Sequence, residues 1–302
     1  MRVIDARWRG SAGSREILSR ALYAAGHIPG AVPLDWQFDL AYTDPAGVRD
    51  RLLPPERFAA LMASLGLAPD TPIVAYADRD YSGAARVWWA LRYHGFANVA
   101  VLDGGWDAWT AEDREIEEMG EEYAGTQGTQ GAEGTQRAEG TEGMQRQLHP
   151  SLLASADDVQ RALEAGDPGV AFVDSRPREQ YEGRAVWTPL GSRFLTPGET
   201  SIDIGARGPM RAGRLPGAIH LNSSANLDPA TWTYLPPDVL RARALAAGLR
   251  PEQRIITYCG VGISASLTLF ALHLAGFEHL ALYDGSWEEW GTDPQRPIAR
   301  DA

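Results

Sequence analysis

Arg254-Ile255-Ile256-Thr257-Tyr258-Cys259-Gly260-Val261-Gly262-Ile263-Ser264-Ala265 is the stretch on which the reading of this chain turns. Residues 254–258 form an apolar, β-branched run of the kind that makes a buried strand. From Ser266 to Ala275, the residues Leu267, Phe270, Ala271 and Leu274 recur at helical spacing, and Gly276 supplies a stop, which predicts a helix. Cys259, the only cysteine among 302 residues, opens the turn between the two. A strand's carboxyl end followed by a helix's amino end presents backbone N–H groups and the positive end of the helix dipole. Both favour an anion, and therefore the thiolate over the thiol. A free cysteine is ordinarily a small core hydrophobe. Two glycines close behind it, however, suit a backbone that approaches a ligand, which packing alone does not require.

The same scaffold recurs upstream. Val74-Ala75-Tyr76-Ala77-Asp78 aligns with Ile255-Ile256-Thr257-Tyr258-Cys259 at an offset of 181 residues, the offset that also relates Asp103 to Asp284 and Trp109 to Trp290. With other offsets, Val3-Ile4-Asp5-Ala6-Arg7 echoes Val173-Asp174-Ser175-Arg176, and Gly26-His27-Ile28-Pro29-Gly30-Ala31 echoes Gly213-Arg214-Leu215-Pro216-Gly217-Ala218. The chain is thus a tandem duplication whose second copy keeps a nucleophile, while this alignment puts Asp78 opposite it. Strands alternating with helices predict an α/β fold in each copy, a mostly parallel sheet with helices on both faces, and ligands gathered at the carboxyl ends of the strands. Asp174 is expected to be structural, accepting hydrogen bonds at a strand end. Trp287 and Trp290 are expected to close the core beside the cysteine loop, with substrate contact a secondary role for Trp287.

In their order and duplication these motifs resemble the rhodanese family, specifically the two-domain thiosulfate and 3-mercaptopyruvate sulfurtransferases. The carriers are an aspartate-opened first strand, the G-x-[IL]-P-G-A motif in both halves, the six-residue loop from Cys259 to Ser264, and the Asp-Gly-x-Trp-x-x-Trp motif that closes each half. The resemblance implies tandem rhodanese-like domains, the first inactive and the second catalytic. It also implies that Cys259 takes sulfane sulfur as a persulfide cradled by Gly260, Val261, Gly262, Ile263, Ser264 and Ala265. The donor would be thiosulfate or a related small anion, the acceptor a thiol or cyanide, and neither cofactor nor metal is implied. Two positions depart from the pattern. Val261 stands where thiosulfate-type relatives carry a basic residue and mercaptopyruvate-type relatives a serine, and Gln180 stands where relatives often carry arginine. An anionic donor still needs a cation. Within the locally basic interval from Asp174 to Arg214, the candidates are Arg184, Arg207, Arg211 and Arg214, the last two favoured because they abut the Pro-Gly-Ala motif. His220 follows that motif and reads as a hydrogen-bonded packing histidine. The alternatives are a protein-directed sulfur carrier or regulatory module with a protein acceptor, and a 3-mercaptopyruvate sulfurtransferase. A cysteine-dependent phosphatase would need an arginine near the end of the loop, where this chain has Ala265 and Ser266.

At 302 residues two domains are expected, with boundaries at 1–118 and 149–302. Between them, 119–148 is a drift of Gly, Thr, Gln and Glu with almost nothing to bury, expected to be a flexible linker. A formal charge of −12 argues against nucleic-acid and acidic-membrane partners, since phosphate surfaces select basic ones. No apolar stretch approaches the length of a membrane span, and nothing near Met1 reads as a secretory leader. With one cysteine no internal disulfide can form, so a reducing cytoplasmic setting is expected.

Overall fold

The structure, a computed structural model, describes residues 1–8, 18–79, 81–119, 148–188, 191–205 and 207–301. Most of the expected linker therefore lies outside the described residues. The chain divides into two compact units: Met1–Tyr42 with Leu52–Pro150, and Thr43–Arg51 with Ser151–Ala302. Among the described residues no helix is long and apolar enough to cross a membrane.

The first unit holds a four-stranded, all-parallel sheet. Its strands are β1 (Arg2–Asp5), β2 (Ala31–Pro33), β5 (Ile73–Tyr76) and β6 (Val99–Val101), in the order β2-β1-β5-β6. Two further short strands, β3 (Ala41–Tyr42) and β4 (Arg51–Leu52), pair with each other. The helices are α1 (Leu18–Ala25), α2 (Pro55–Ser64), α3 (Ser82–Tyr93) and α4 (Gly105–Ala111). Buried β-branched and aromatic side chains from β5 and α3, among them Ile73, Tyr76, Val87 and Trp89, make the apolar interior that a sheet covered by helices requires.

The second unit is built on a five-stranded parallel sheet in the order β13-β8-β14-β15-β7. These strands are β7 (Leu153–Ala154), β8 (Val170–Asp174), β13 (Ile219–His220), β14 (Arg254–Tyr258) and β15 (Leu280–Tyr283). Two antiparallel pairs are added, β9 (Ala185–Thr188) with β10 (Gly191–Phe194), and β11 (Ser201–Asp203) with β12 (Pro209–Arg211). The helices are α5 (Ala156–Ala165), α6 (Arg178–Tyr181), α7 (Pro237–Ala246), α8 (Ile263–Leu274) and α9 (Ser286–Thr292). Two helix ends follow directly from the sequence. Ser155 and Asp158 form a reciprocal capping box on α5, and Gly276, at φ +79°, ends α8 where a left-handed residue is needed. Helix α8 is apolar almost all round and nine of its residues are buried, as befits a helix in the interior. In both copies the motif aspartate closes the strand rather than opening it: Asp5 is the last residue of β1 and Asp174 the last of β8.

The first unit contains two titratable groups that oppose each other, His94 buried and Asp39 half-buried. His94, stacked on Phe58 at 3.7 Å, has its pKa pushed down to about 3 by burial. Asp39 is raised to about 6, first by burial and then by the nearby Asp35 carboxylate. For His94 the unfolded chain binds the proton first, so stability is lost as pH falls from its unfolded value toward 3. For Asp39 the native state binds the proton first, so stability is gained as pH falls through 6 toward the ordinary aspartate range. Asp39→Asn keeps an acceptor for the Asp35 N–H, which donates to Asp39 Oδ2 at 2.8 Å, and removes the charge. The variant should melt several degrees higher at neutral pH and lose stability more steeply between neutrality and pH 4, as followed by thermal unfolding across pH. A variant melting at or below the parent at neutral pH would contradict this account.

Candidate active site

Cys259 follows the last residue of β14, and α8 begins four residues later at Ile263. The helix therefore starts earlier than its apolar spacing suggested and takes in Ile263, Ser264 and Ala265. Gly262 precedes it in a left-handed conformation (φ +82°), and the helix has no side-chain cap. Gly260, Val261, Gly262 and Ile263 have no backbone hydrogen-bond acceptor for their N–H groups among the described residues. A first turn left open in this way is an anion cradle. Ser266 Oγ donates to the Gly262 carbonyl at 2.9 Å and fixes the turn from inside.

Around this loop the contacts come from α9 and β9. The Cys259 N–H donates to Ser286 Oγ at 3.1 Å, and Ser286 Oγ donates to the Tyr283 carbonyl at 2.9 Å. Ser286 holds φ +50°, a conformation costly for any residue with a Cβ. Trp287 N–H donates to the Cys259 carbonyl at 3.0 Å and Glu288 N–H to the Gly260 carbonyl at 2.9 Å, so both loop carbonyls are engaged. Trp187, on β9, lies flat against Gly260: a Cβ at that position would sit 2.6 Å from the indole ring. Cys259 itself is 2 % exposed.

Two carboxylates of α9 bind arginines from Thr43–Arg51, a segment of the second unit although it precedes β5 in the chain. Glu288, buried, accepts from Arg49 Nε at 2.8 Å through Oε1, and its buried Oε2 has no hydrogen-bond partner among the described residues. Burial pushes its carboxyl above the ordinary glutamate range and Arg49 draws it part of the way back. Arg51 lies 3.7 Å from Asp284 and 3.3 Å from Glu289.

Comparison of the two copies moves their alignment by one residue at the loop. Asp5 pairs in register with Tyr76 and Asp174 with Tyr258. The Tyr76 and Tyr258 hydroxyls donate to those aspartates at 2.6 and 2.8 Å. Trp106 N–H donates to the Ala77 carbonyl just as Trp287 N–H donates to that of Cys259. The counterpart of Cys259 is therefore Ala77, not Asp78. Five residues separate β5 from α3, against four between β14 and α8, and the constant offset resumes only at the helix.

Asp174 accepts from Arg176 through its backbone N–H at 3.0 Å and through Nε and Nη2 at 2.9 and 2.5 Å. Arg176 is fully buried, donates to the Gly213 carbonyl at 2.7 Å and lies 4.4 Å from the Trp287 ring centroid. Burial is the largest single influence and works against its charge, but Asp174, Tyr258 and Cys259 together outweigh it, so its pKa rises. It was not among the candidates read from the sequence. The signal was available: Asp5 and Arg7 repeat the arrangement in the first copy, with Arg7 Nη2 2.6 Å from Asp5 and 2.6 Å from the Gly26 carbonyl. Because the copy without a cysteine has the same pair, its first duty is to tie the strand end to the Pro-Gly-Ala segment.

The four candidate arginines find other partners. Arg211 donates to the carbonyls of Trp290, Gly291, Asp293 and Arg296, capping the end of α9. Arg214 lies over the Tyr181 ring at 4.3 Å and pairs with Asp301. Arg207 binds Thr292 Oγ1 and the Ala46 carbonyl, and Arg184 is exposed and paired with Glu182. Gln180 is buried and donates to Ser192 Oγ at 2.7 Å. His220 Nε2 lies 2.9 Å from the Arg176 carbonyl oxygen, with its ring against Tyr181. Trp287 is fully buried and donates to the Arg211 carbonyl at 2.9 Å, a core position.

The rhodanese-like domain matches residues 1–112 and 155–293. The chain belongs to the rhodanese family. It is 32 % identical over 281 residues to the sulfur carrier protein TtuD of Thermus thermophilus, covering 92 % of this chain and 87 % of that protein. It is 32 % identical over 301 residues to the putative thiosulfate sulfurtransferase SseB of Mycobacterium tuberculosis, covering 99 % and 90 %. It is 35 % identical over 283 residues to a probable 3-mercaptopyruvate sulfurtransferase of Pseudomonas aeruginosa, covering 92 % and 86 %. Among solved structures, wild-type EanB superposes on all of this chain with a TM-score of 0.73 at 21 % identity. The match spans 64 % of the EanB chain, and at that identity it speaks for the fold alone.

Proposed function

We propose that this rhodanese is a sulfurtransferase that carries sulfane sulfur on Cys259. The observation that carries the reading is the chain's single thiol, set at the mouth of an uncapped helix with both neighbouring loop carbonyls already bonded. In the first half-reaction the Cys259 thiolate attacks the outer sulfur of thiosulfate. The sulfur–sulfur bond of the donor breaks, sulfite leaves with its electron pair, and a Cys259 persulfide anion remains. In the second, cyanide or a thiolate attacks the terminal sulfur and restores the thiolate. The loop N–H groups stabilise the anionic sulfur in both states, as an oxyanion hole does for oxygen. A reducing compartment would keep the thiol available. The names of the relatives from Mycobacterium and Pseudomonas support a sulfurtransferase, and the first half is then a scaffold without a nucleophile.

A second reading, delivery of the sulfur to a protein acceptor, draws support from Val261, which supplies no charge for a small anion, and from the similarity to a protein named as a sulfur carrier. Steady-state kinetics with thiosulfate, mercaptopyruvate and glutathione persulfide as donors and cyanide as acceptor separate the two. Thiosulfate is expected to support turnover, with the mass of one sulfur atom added at Cys259. Val261→Lys should lower KM for thiosulfate several-fold at similar kcat, because a charge felt equally in ground and transition states adds uniform binding. Persulfide loading without turnover on any small acceptor would favour the carrier.

A further inference from the structure

The four candidate arginines read from the sequence are each engaged elsewhere, Arg211 and Arg207 by carbonyls and a hydroxyl, Arg214 and Arg184 by carboxylates. We propose that Arg49 is the donor-binding cation of the Cys259 loop, positioned by Glu288, and that this confers preference for a donor with a negatively charged oxyanion group such as thiosulfate. The inference rests on the sulfurtransferase reading above.

Three observations converge on it. First, Arg49 is anchored at one point only: Nε donates to Glu288 Oε1 at 2.8 Å, while its terminal nitrogens make no hydrogen bond to a described residue, and the side chain is 40 % exposed. By contrast, Arg51 beside it lies against the carboxylates of Asp284 and Glu289. A guanidinium held through Nε presents its two terminal N–H groups as a planar fork, the geometry that matches a carboxylate, sulfonate or phosphate. Second, both structural neighbours of Arg49 abut the residue after the cysteine. Glu288 N–H donates to the Gly260 carbonyl, and the Trp187 ring, 5.8 Å from the Arg49 guanidinium carbon, covers Gly260. Third, the anchor is itself unusual. Glu288 is a buried carboxylate with one oxygen unpaired among the described residues, an arrangement that costs stability and serves no packing need that an apolar residue could not meet. Its effect is to hold a cation beside the loop, where Val261 brings none.

Glu288 is thus a positioning residue and Arg49 the group that would touch the donor. Removing Arg49 alone leaves Glu288 buried and unpaired, so the decisive variant is the double Arg49→Gln/Glu288→Gln, which removes both charges and retains a hydrogen-bonding pair; Arg49→Lys, which keeps a charge but not the fork, accompanies it. Thiosulfate:cyanide kinetics are measured on the full chain at several ionic strengths. The expected result is a rise in KM for thiosulfate of about tenfold in the double variant, the loss of one charge-assisted contact, with kcat within a few-fold of the parent. The parent's KM should climb with salt, the double variant's should respond less, and the lysine variant should fall between them. A merely structural pair would lower kcat or folded fraction without changing the salt response. Parent turnover with an unchanged KM and salt response in the double variant would overturn the role of Arg49 alone. No persulfide on the parent's Cys259 with any donor would overturn the sulfurtransferase reading, and the donor role of Arg49 with it.

Discussion

Cys259→Ser should transfer no measurable sulfur while folding like the parent. The substitution exchanges one small side chain for another at a site that is 2 % exposed, and it leaves the Cys259 N–H bond to Ser286 and the carbonyl bond from Trp287 in place, since both are made by the backbone. A serine hydroxyl is far less acidic than a thiol and a far weaker nucleophile at neutral pH, so the loss should be at least on the order of a thousandfold, as when a nucleophile is removed from other enzymes. Thiosulfate:cyanide turnover, melting temperature and intact mass after thiosulfate exposure are the measurements. Asp78→Ala, in the copy without a thiol, serves as the control and should keep parental activity. Substantial turnover in the serine variant would end the persulfide mechanism.

The second large effect is expected at Ser286, where two substitutions should part activity from stability. The first copy has Gly105 at the matching position with φ +50°, the same angle that Ser286 adopts. Keeping a side chain in that conformation costs about 1 kcal/mol, and what it provides is the hydroxyl that receives the Cys259 N–H. Ser286→Gly relieves the backbone and deletes the hydroxyl, so kcat/KM should fall about tenfold or more while the melting temperature holds or rises. Ser286→Ala deletes the hydroxyl and keeps the strain, so activity should fall as far and the melting temperature with it. If the glycine variant were fully active, the hydroxyl would have no part in placing the nucleophile.

The duplication, the strand-loop-helix setting of Cys259 and the α/β class were legible because each is written in local periodicity and in motifs that occur twice. The alignment at the loop was not. Tyr-Cys in one copy and Ala-Asp in the other look equivalent because the helices beyond them keep a constant offset, and it takes the strand register, the tyrosine hydroxyls on Asp5 and Asp174 and the tryptophan N–H bonds to show that the extra residue falls between strand and helix. The arginines were hidden for a different reason. Arg211 is consumed by backbone carbonyls about 80 residues away, and Arg49 meets Glu288 across 239 residues, so neither a charge count nor a motif could say which guanidinium was spent and which was left to bind. Asp39 and His94 likewise look ordinary in sequence, and their shifts come from what buries them.

The unequal loops also bear on how the two halves diverged. Were the first copy merely a domain that had lost its nucleophile, exchanging Ala77 for cysteine would return it to service. With five residues between strand and helix instead of four, a thiol placed there would stand one residue farther along the chain from the first helical amides than Cys259 does. Reviving that half therefore calls for a deletion as well as a substitution, two events that are each useless alone. Such a pair is rarely reached by drift, so a first half that carries no sulfur, as proposed above, would be held there by a ratchet rather than by a lapse.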